Sequence, residues 1–172
     1  FLTTTAFAQP DPPTAPMVYH EPAMDKATSK KGIPFKTHHP DTVLRYDIYY
    51  PAEQAKNPRS LPVVIFINGV GVPGLPQWKI YQDWASLIAA RGMIAVTHQS
   101  RSDKTAADVA ELLDYLRKNA QSLSIDKEKI GLWACSANTP TGWLTADNPE
   151  NSFIRAAAIY TLVETCKLNG VD

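Results

Sequence analysis

The chain has 172 residues, of which 44% are hydrophobic and 20% are charged. This length and composition can bury the core of about one domain, which excludes a disordered protein and a short disulfide scaffold. Seventeen basic residues balance seventeen acidic residues, so no net field favours nucleic acid, an anionic membrane surface or an acidic partner.

The first residues are similar to the end of a secretory signal peptide. Residues 1–8 run apolar into Ala6, Phe7 and Ala8, a small-x-small pattern of the kind that precedes signal-peptidase cleavage. No later stretch has the ~18 apolar residues of a membrane span. We therefore expect cleavage after Ala8 and secretion or periplasmic export from a bacterium, with an ordinary chain terminus as the alternative.

A proline-rich segment follows the first eight residues. Ten of the fourteen prolines lie before residue 63, and residues 10–16 have neither a helical nor a strand period. We expect residues 9–40 to form an extended leader and residues 41–172 to form the domain.

The remaining sequence alternates between predicted strands and helices. Residues 43–50 alternate apolar and polar side chains, as a half-buried strand does. Apolar residues recur at helical spacing over residues 81–88 and 109–116. This order predicts an α/β fold with a mainly parallel sheet and helices on both faces. Four continuous apolar runs are typical of strands buried on both faces, and they cover residues 63–67, 93–96, 130–134 and 156–160.

A serine follows one of these strands directly. Parallel sheets place their active residues at the carboxyl ends of the strands, and Ser136 lies just after the run that ends at Ala134. A strand-to-helix turn of this kind is where a nucleophile elbow, G-x-S-x-G, is found. The elbow crowds the residues two before and two after the serine, which are Ala134 and Asn138 here. Alanine is a mild departure from glycine, and asparagine is a larger one.

Cys135 is a weaker candidate for the nucleophile than Ser136. If Cys135 were the nucleophile, Trp133 would lie two residues before it, where the elbow has no room for a large side chain. We expect Cys135 to be a small buried hydrophobe, with a disulfide to Cys166 as the alternative. The two cysteines do not have the paired spacing of a zinc site, and no phosphate-binding glycine motif occurs, so neither a metal nor a cofactor is predicted.

With these residues in view, the chain from about residue 43 to residue 160 resembles an α/β-hydrolase, and more closely the dienelactone-hydrolase-like and esterase branches. The resemblance implies a three-layer sandwich that lacks its C-terminal strands, so that the last strand is an uncovered edge through which copies could associate. The resemblance rests on four sequence motifs in the same order as in the family: residues 46–51, residues 64–69, residues 90–93 with the following strand and Arg101, and residues 125–137.

The resemblance also implies roles for residues at two strand ends. Ser136 would attack an ester carbonyl to form an acyl-enzyme, and the backbone N–H groups of Ala137 and Val70 would form the oxyanion hole. A helix-capping serine and a plain glycine-rich turn are the alternatives. Asn68 replaces the histidine of the family pattern. The loop that carries Val70 comprises Asn68, Gly69, Val70 and Gly71.

The acid and the base of a triad are not found at their expected places. In the family they follow the nucleophile, whereas all four histidines precede Ser136. His98, at the end of a strand, is the one histidine that could lie at the same edge of the sheet as Ser136. The alternative is a histidine at this edge that is bonded only to solvent or to Asp103. Trp78 and Trp143 are candidate pocket-lining residues, although aromatic residues at such positions are more often core. The carboxylates after Ser136 are Asp147, Glu150, Glu164 and Asp172.

The sequence is therefore consistent with two functions. The first is a serine hydrolase of the carboxylesterase or dienelactone type that acts on a small-molecule ester and needs a further segment, or another chain, for its acid and histidine. The second is a non-catalytic, hydrolase-like binding or scaffold domain. Asn68, Asn138 and the missing base favour the second.

Overall fold

A computed structural model describes residues 19–39, 42–68 and 74–160 of the chain. Short 3-10 turns connect several of its elements. The strands are β1 (Thr28–His39), β2 (Thr42–Tyr50), β3 (Leu61–Ile67), β4 (Ile94–His98), β5 (Ile125–Cys135) and β6 (Ile154–Tyr160). The helices are α1 (Lys79–Ala90), α2 (Thr105–Lys118) and α3 (Thr139–Asp147).

The six strands form one sheet in the order β1-β2-β4-β3-β5-β6. β4, β3, β5 and β6 run parallel, whereas β1 and β2 pair antiparallel with each other and β2 pairs antiparallel with β4. The predicted α/β fold with a mainly parallel sheet is confirmed. The carboxyl ends of β3, β4 and β5 lie side by side at one edge, which we call the rim.

Buried side chains cover both faces of the central strand β3. Ile65 and Ile67 belong to an aliphatic cluster that also contains Leu112 and Leu116 of α2. Phe66, between them, belongs to a second cluster with residues of α1. Alternate residues of a strand point to opposite faces, so α1 covers one face of the sheet and α2 the other. This is why the sequence of β3 is continuously apolar.

β1 is a strand that the sequence pattern did not predict. It lies within residues 9–40, which we expected to be an extended leader, and it pairs with β2 along the edge of the sheet. Gly32, at φ +67°, and Pro34 interrupt the alternation, and the register with β2 shifts around both. Proline is tolerated here because an edge strand leaves one side of its backbone unpaired. The predicted signal region, residues 1–8, lies outside the described residues.

A buried ion pair fixes the connection from β4 to α2. The Asp108 carboxylate has no exposed surface and accepts a hydrogen bond from the backbone N–H of Arg101 over 2.7 Å. The Arg101 guanidinium donates to the same carboxylate. A buried carboxylate needs such partners, because removing one leaves an uncompensated charge.

α3 approaches β5 unusually closely at Gly142. A Cβ atom built on this glycine would lie 2.5 Å from the Cβ atom of Ala134, a distance that real Cβ atoms do not reach. Glycine is therefore required by the packing of α3 on the sheet, and small residues are required on both sides of the contact. This contact seats the helix that follows Ser136.

We expect Gly142→Ala to destabilise the protein by about 1–3 kcal/mol, because the added methyl group forces the helix away from β5. In an unconstrained helix the same change would stabilise by up to about 1 kcal/mol. Urea unfolding followed by circular dichroism measures the difference. Gly74→Ala is the matched control, because a Cβ atom there meets nothing closer than 3.9 Å. Equal stability of the two variants would contradict the packing argument.

Candidate active site

Ser136 has a backbone conformation that is uncommon for serine, and among the described non-glycine residues only Ser124, at φ +57° in the turn before β5, shares it. The φ of Ser136 is +54°, in the left-handed region, and its side chain is exposed. The residue begins a 3-10 turn, Ser136–Asn138, between the end of β5 and the start of α3. A non-glycine residue at positive φ costs of order 1–3 kcal/mol, and such strain is concentrated at functional sites. The turn thus presents a hydroxyl at the rim, between a buried strand and a helix N-terminus.

The flanking positions explain how the turn tolerates departures from glycine. Ala134 is buried, and its methyl group faces Gly142, so a larger residue would have no space. Asn138 has φ −94° and ψ 6°, which lies outside the left-handed region and suits any residue. The asparagine therefore costs no backbone strain, and its buried side chain is accommodated by a hydrogen bond.

Buried side-chain amides connect the ends of three neighbouring strands. Asn138, after β5, donates through Nδ2 to the carbonyl oxygen of Asn68, the residue after β3. Asn68 donates through its own Nδ2 to the carbonyl oxygen of His98, at the end of β4, over 2.6 Å. Both asparagines are about 95% buried, with exposed fractions of 5% and 4%. We call this pair the amide link.

Of the two predicted oxyanion donors, the backbone N–H groups of Ala137 and Val70, only that of Ala137 belongs to the described residues. Ala137 follows Ser136 in the exposed turn, so its backbone N–H lies next to the hydroxyl in the chain. Gly69, Val70 and Gly71 lie outside the described residues. The role of these residues as oxyanion loop and donor stays a prediction.

Cys135 lies beside an aromatic cluster on the α1 face of the sheet. It is a free thiol, partly buried, and its Sγ atom lies 3.4 Å from the hydroxyl of Tyr81. Trp133, two residues earlier in β5, packs against Tyr81, Trp84 and Phe66. Trp133 is thus committed to packing on this face. Cys166 lies outside the described residues.

His98 is enclosed within the protein. Its ring has no exposed surface, Nδ1 lies 3.0 Å from the carbonyl oxygen of Gln99, and Nε2 has no hydrogen-bond partner among the described residues. Burial lowers the pKa of the imidazole, which the Gln99 carbonyl and the Asp108 charge only partly oppose. The ring is therefore held neutral. The prediction that His98 lines a substrate pocket finds no support in this arrangement.

Of the two tryptophans expected near the site, one lies on the surface of a helix and the other directly precedes a helix. Trp143, on α3, is 61% exposed and adjoins Leu144, which is 70% exposed. Trp78 is the residue before α1 and is partly buried. Neither is packed in the aliphatic or aromatic core described above. A role in lining a pocket stays a prediction for both.

An open cleft of about 290 Å³ lies where β1 and β2 meet the end of β4. Lys31, Arg45 and Gln99 are among its lining residues. The buried carboxylate of Asp47 accepts a hydrogen bond from the backbone N–H of Gly32 over 2.7 Å. Sequence reasoning missed this cleft because it depends on β1. The lining is mostly polar and combines two basic side chains with the Asp47 carboxylate.

Residues 19–39, 42–68 and 74–160 contain no cluster of three or more histidine, cysteine or acidic residues that could hold a metal ion. No helix within them is long and apolar enough to cross a membrane.

His98 predicts a pH dependence of stability. A histidine in the unfolded chain has a pKa of about 6.5, whereas burial lowers the pKa of His98 in the folded state. Below about pH 6.5 the unfolded chain therefore binds more protons, and the free energy of unfolding falls by up to about 1.4 kcal/mol per pH unit. We expect His98→Gln to reduce this slope, as measured by urea unfolding between pH 5 and pH 8.

The control for this measurement is the wild-type protein, unfolded in the same series of buffers between pH 5 and pH 8. A slope that persists in His98→Gln would show that another group causes the acid destabilisation.

Comparison with solved structures relates this arrangement to known esterases. Esterase Est22 superposes with a TM-score of 0.63 at 16% sequence identity, over 78% of this chain and 43% of that chain. Brefeldin A esterase, a bacterial homologue of human hormone sensitive lipase, superposes with a TM-score of 0.64 at 12% sequence identity, over 82% of this chain and 42% of that chain. Esterase 2 of Thermogutta terrifontis, phosphorylated by paraoxon, superposes with a TM-score of 0.59 at 20% sequence identity, over 84% of this chain and 60% of that chain. These likenesses establish the α/β-hydrolase fold.

The chain spans less than two thirds of the length of each of these enzymes. No curated protein matches it in sequence. The BD-FAE family model matches residues 46–158, which include the second half of β2, all of β3 to β5, the Ser136 turn and most of β6. On this match over more than half of its length, the chain belongs to the BD-FAE family and has the α/β-hydrolase fold.

Proposed function

We propose that this chain carries the nucleophile of a serine esterase, and that the nucleophile is Ser136. The left-handed backbone at an exposed serine, between a buried parallel strand and a helix, is the observation that carries the proposal. Strain of this kind persists only where the surroundings enforce it. Here β3 and β6 pair with β5 on its two sides, and Gly142 seats α3 on the same strand.

The proposed reaction is acyl transfer. The hydroxyl oxygen of Ser136 attacks the carbonyl carbon of an ester, the alcohol leaves with a proton, and water then hydrolyses the acyl-enzyme. The negative charge on the carbonyl oxygen would be stabilised by the backbone N–H groups of Ala137 and Val70. The N-terminus of α3 follows the turn directly, and its dipole favours the same charge.

A serine hydroxyl needs a base to react at neutral pH. No histidine follows Ser136 in the sequence, and the ring of His98 is buried and neutral. The proposal therefore includes an imidazole and a carboxylate partner that the described residues at the rim do not supply.

Ligands and inhibitors of the similar solved structures support a proposal for the substrate class. One structure of Est22 contains p-nitrophenol, and esterase B of Lactobacillus rhamnosis was inhibited by a tributyrin phosphonate. Esterase 2 of Thermogutta terrifontis was phosphorylated by paraoxon. By analogy, we propose a small carboxylic ester as the substrate of this chain, with a lactone of the dienelactone type as a narrower possibility.

The test is covalent labelling of Ser136 by a fluorophosphonate, with and without added imidazole. Free imidazole replaces the missing base, so we expect the peptide that contains Ser136 to be labelled at a rate that rises with imidazole concentration. Ser136→Ala should abolish this label at unchanged stability. Mass spectrometry of the digested protein measures it.

Ser100 provides the matched control, because it is a partly buried serine two residues beyond the end of β4, at the same rim. Ser100→Ala should leave the labelling rate unchanged. A folded protein whose Ser136 stays unlabelled at every imidazole concentration would overturn the proposal and favour the non-catalytic binding domain.

A further inference from the structure

We infer that the open cleft where β1 and β2 meet the end of β4 is a second binding site, and that it takes a small amino acid with an acidic side chain. This site is separate from the proposed nucleophile, because its described lining residues do not include the turn after β5. The observation that carries it is the carboxylate of Asp47, a residue only 4% exposed that nevertheless lines the cleft.

A β-bulge builds the wall of the cleft. Lys31 and Gly32 of β1 stand opposite the single residue Asp47 of β2. Gly32 has φ +67°, and a Cβ atom built on it meets no atom within 4 Å. Its N–H donates to Asp47 over 2.7 Å, and its carbonyl oxygen accepts from Nη1 of Arg45 over 2.7 Å. Two β2 side chains of opposite charge are therefore held on one face of the sheet, beside open space.

The Asp47 carboxylate has acceptor capacity to spare. A carboxylate offers about four acceptor positions on its two oxygens. Among the described residues, the hydrogen bond from Gly32 reaches Oδ1 only, and no ion pair joins Asp47 to Arg45 or Lys31. Oδ2 is not a fully enclosed atom, so a ligand can reach it. Because a mostly buried carboxylate is costly without partners, an ammonium group that donates to Oδ2 would be stabilising.

The other polar side chains of the cleft are donors. The guanidinium of Arg45 has five N–H groups, and the hydrogen bond to Gly32 uses one of them. The ammonium group of Lys31 is exposed, and its Nζ atom lies 3.5 Å from Oε1 of Gln82. Gln99 accepts from the backbone N–H of Arg45 through Oε1, so its Nε2 group is left to donate. These three groups suit the oxygens of carboxylates.

The charges of the described lining define the ligand class. Two positive side chains, Lys31 and Arg45, and one negative side chain, Asp47, complement a molecule with two carboxylates and one ammonium group. A simple anion would leave Asp47 without its donor, and a simple amine would leave both basic groups unmatched. The volume of about 290 Å³ is at the lower end of ligand sites, which suits a molecule of this size.

The experiment titrates the full chain with three probes: L-glutamate, glutarate, which is the same molecule without the ammonium group, and n-butylamine, which has no carboxylate. The chemical shifts of the Gly32 and Gln99 backbone amides, measured by NMR, report binding at the cleft. We expect saturable shifts with L-glutamate, at an affinity at least about tenfold higher than that for either other probe, because a charge-assisted hydrogen bond is lost in each.

Asp47→Asn separates the role of the ammonium group from that of the carboxylates. This variant should weaken L-glutamate binding at least about tenfold, whereas glutarate should bind as in the wild type or more tightly, since a repulsive charge is gone. Retained glutarate binding also shows that the bulge is intact. Lys31→Gln should weaken both carboxylate ligands. Lys30→Gln is the matched control, because Lys30 is the neighbouring exposed lysine of β1 and points to the other face.

Three results would overturn the inference. The first is the lack of a saturable shift with millimolar L-glutamate, and the second is equal affinity of the wild type for L-glutamate and glutarate, which indicates a simple anion site. The third is an equal effect of Lys31→Gln and Lys30→Gln, a comparison that decides the matter if Asp47→Asn does not fold. Labelling of Ser136 is not part of the readout, so the proposed function can fail or hold without changing the outcome.

Discussion

The left-handed backbone at Ser136 is the constraint on which the rim depends. A serine held at φ +54° would relax to an ordinary conformation if the residues on either side could move. β5 is fixed by strands on both of its sides, and α3 is fixed by the contact between Gly142 and Ala134. The turn is therefore anchored at both ends, and the strain is offset by packing several residues away from the hydroxyl.

The sequence allowed the parallel core and the strand-to-helix turn that bears Ser136 to be predicted, because both depend on local patterns. The continuous apolar run of β3 is visible in the sequence, and Ser136 follows a similar run directly. β1 was not visible, because Gly32 and Pro34 break its alternation and its pairing with β2 is a tertiary feature. The amide link was likewise hidden, since it joins residues 70 positions apart.

The two faces of the sheet differ chemically, and this difference explains the environments of the rim residues. The α2 face is mainly aliphatic and encloses the neutral ring of His98, which sits opposite Tyr46 on the neighbouring strand. The α1 face carries the aromatic cluster around Trp133. Cys135 points to this second face, where its thiol meets the Tyr81 hydroxyl. Adjacent residues of β5 and its turn are therefore a packed tryptophan, a shielded thiol and an exposed hydroxyl.

The exposed apolar pair on α3, Trp143 and Leu144, affects how the chain behaves in solution. The chain carries no net charge at pH 7, so electrostatic repulsion between copies is weakest near neutrality. An apolar surface patch on such a chain promotes association, which becomes more pronounced as protein concentration rises. Acidic buffer would restore repulsion but would also charge the histidines of the unfolded chain, whereas mildly alkaline buffer restores repulsion through net negative charge without that cost. Colloidal stability and folding stability therefore both favour a pH above neutrality.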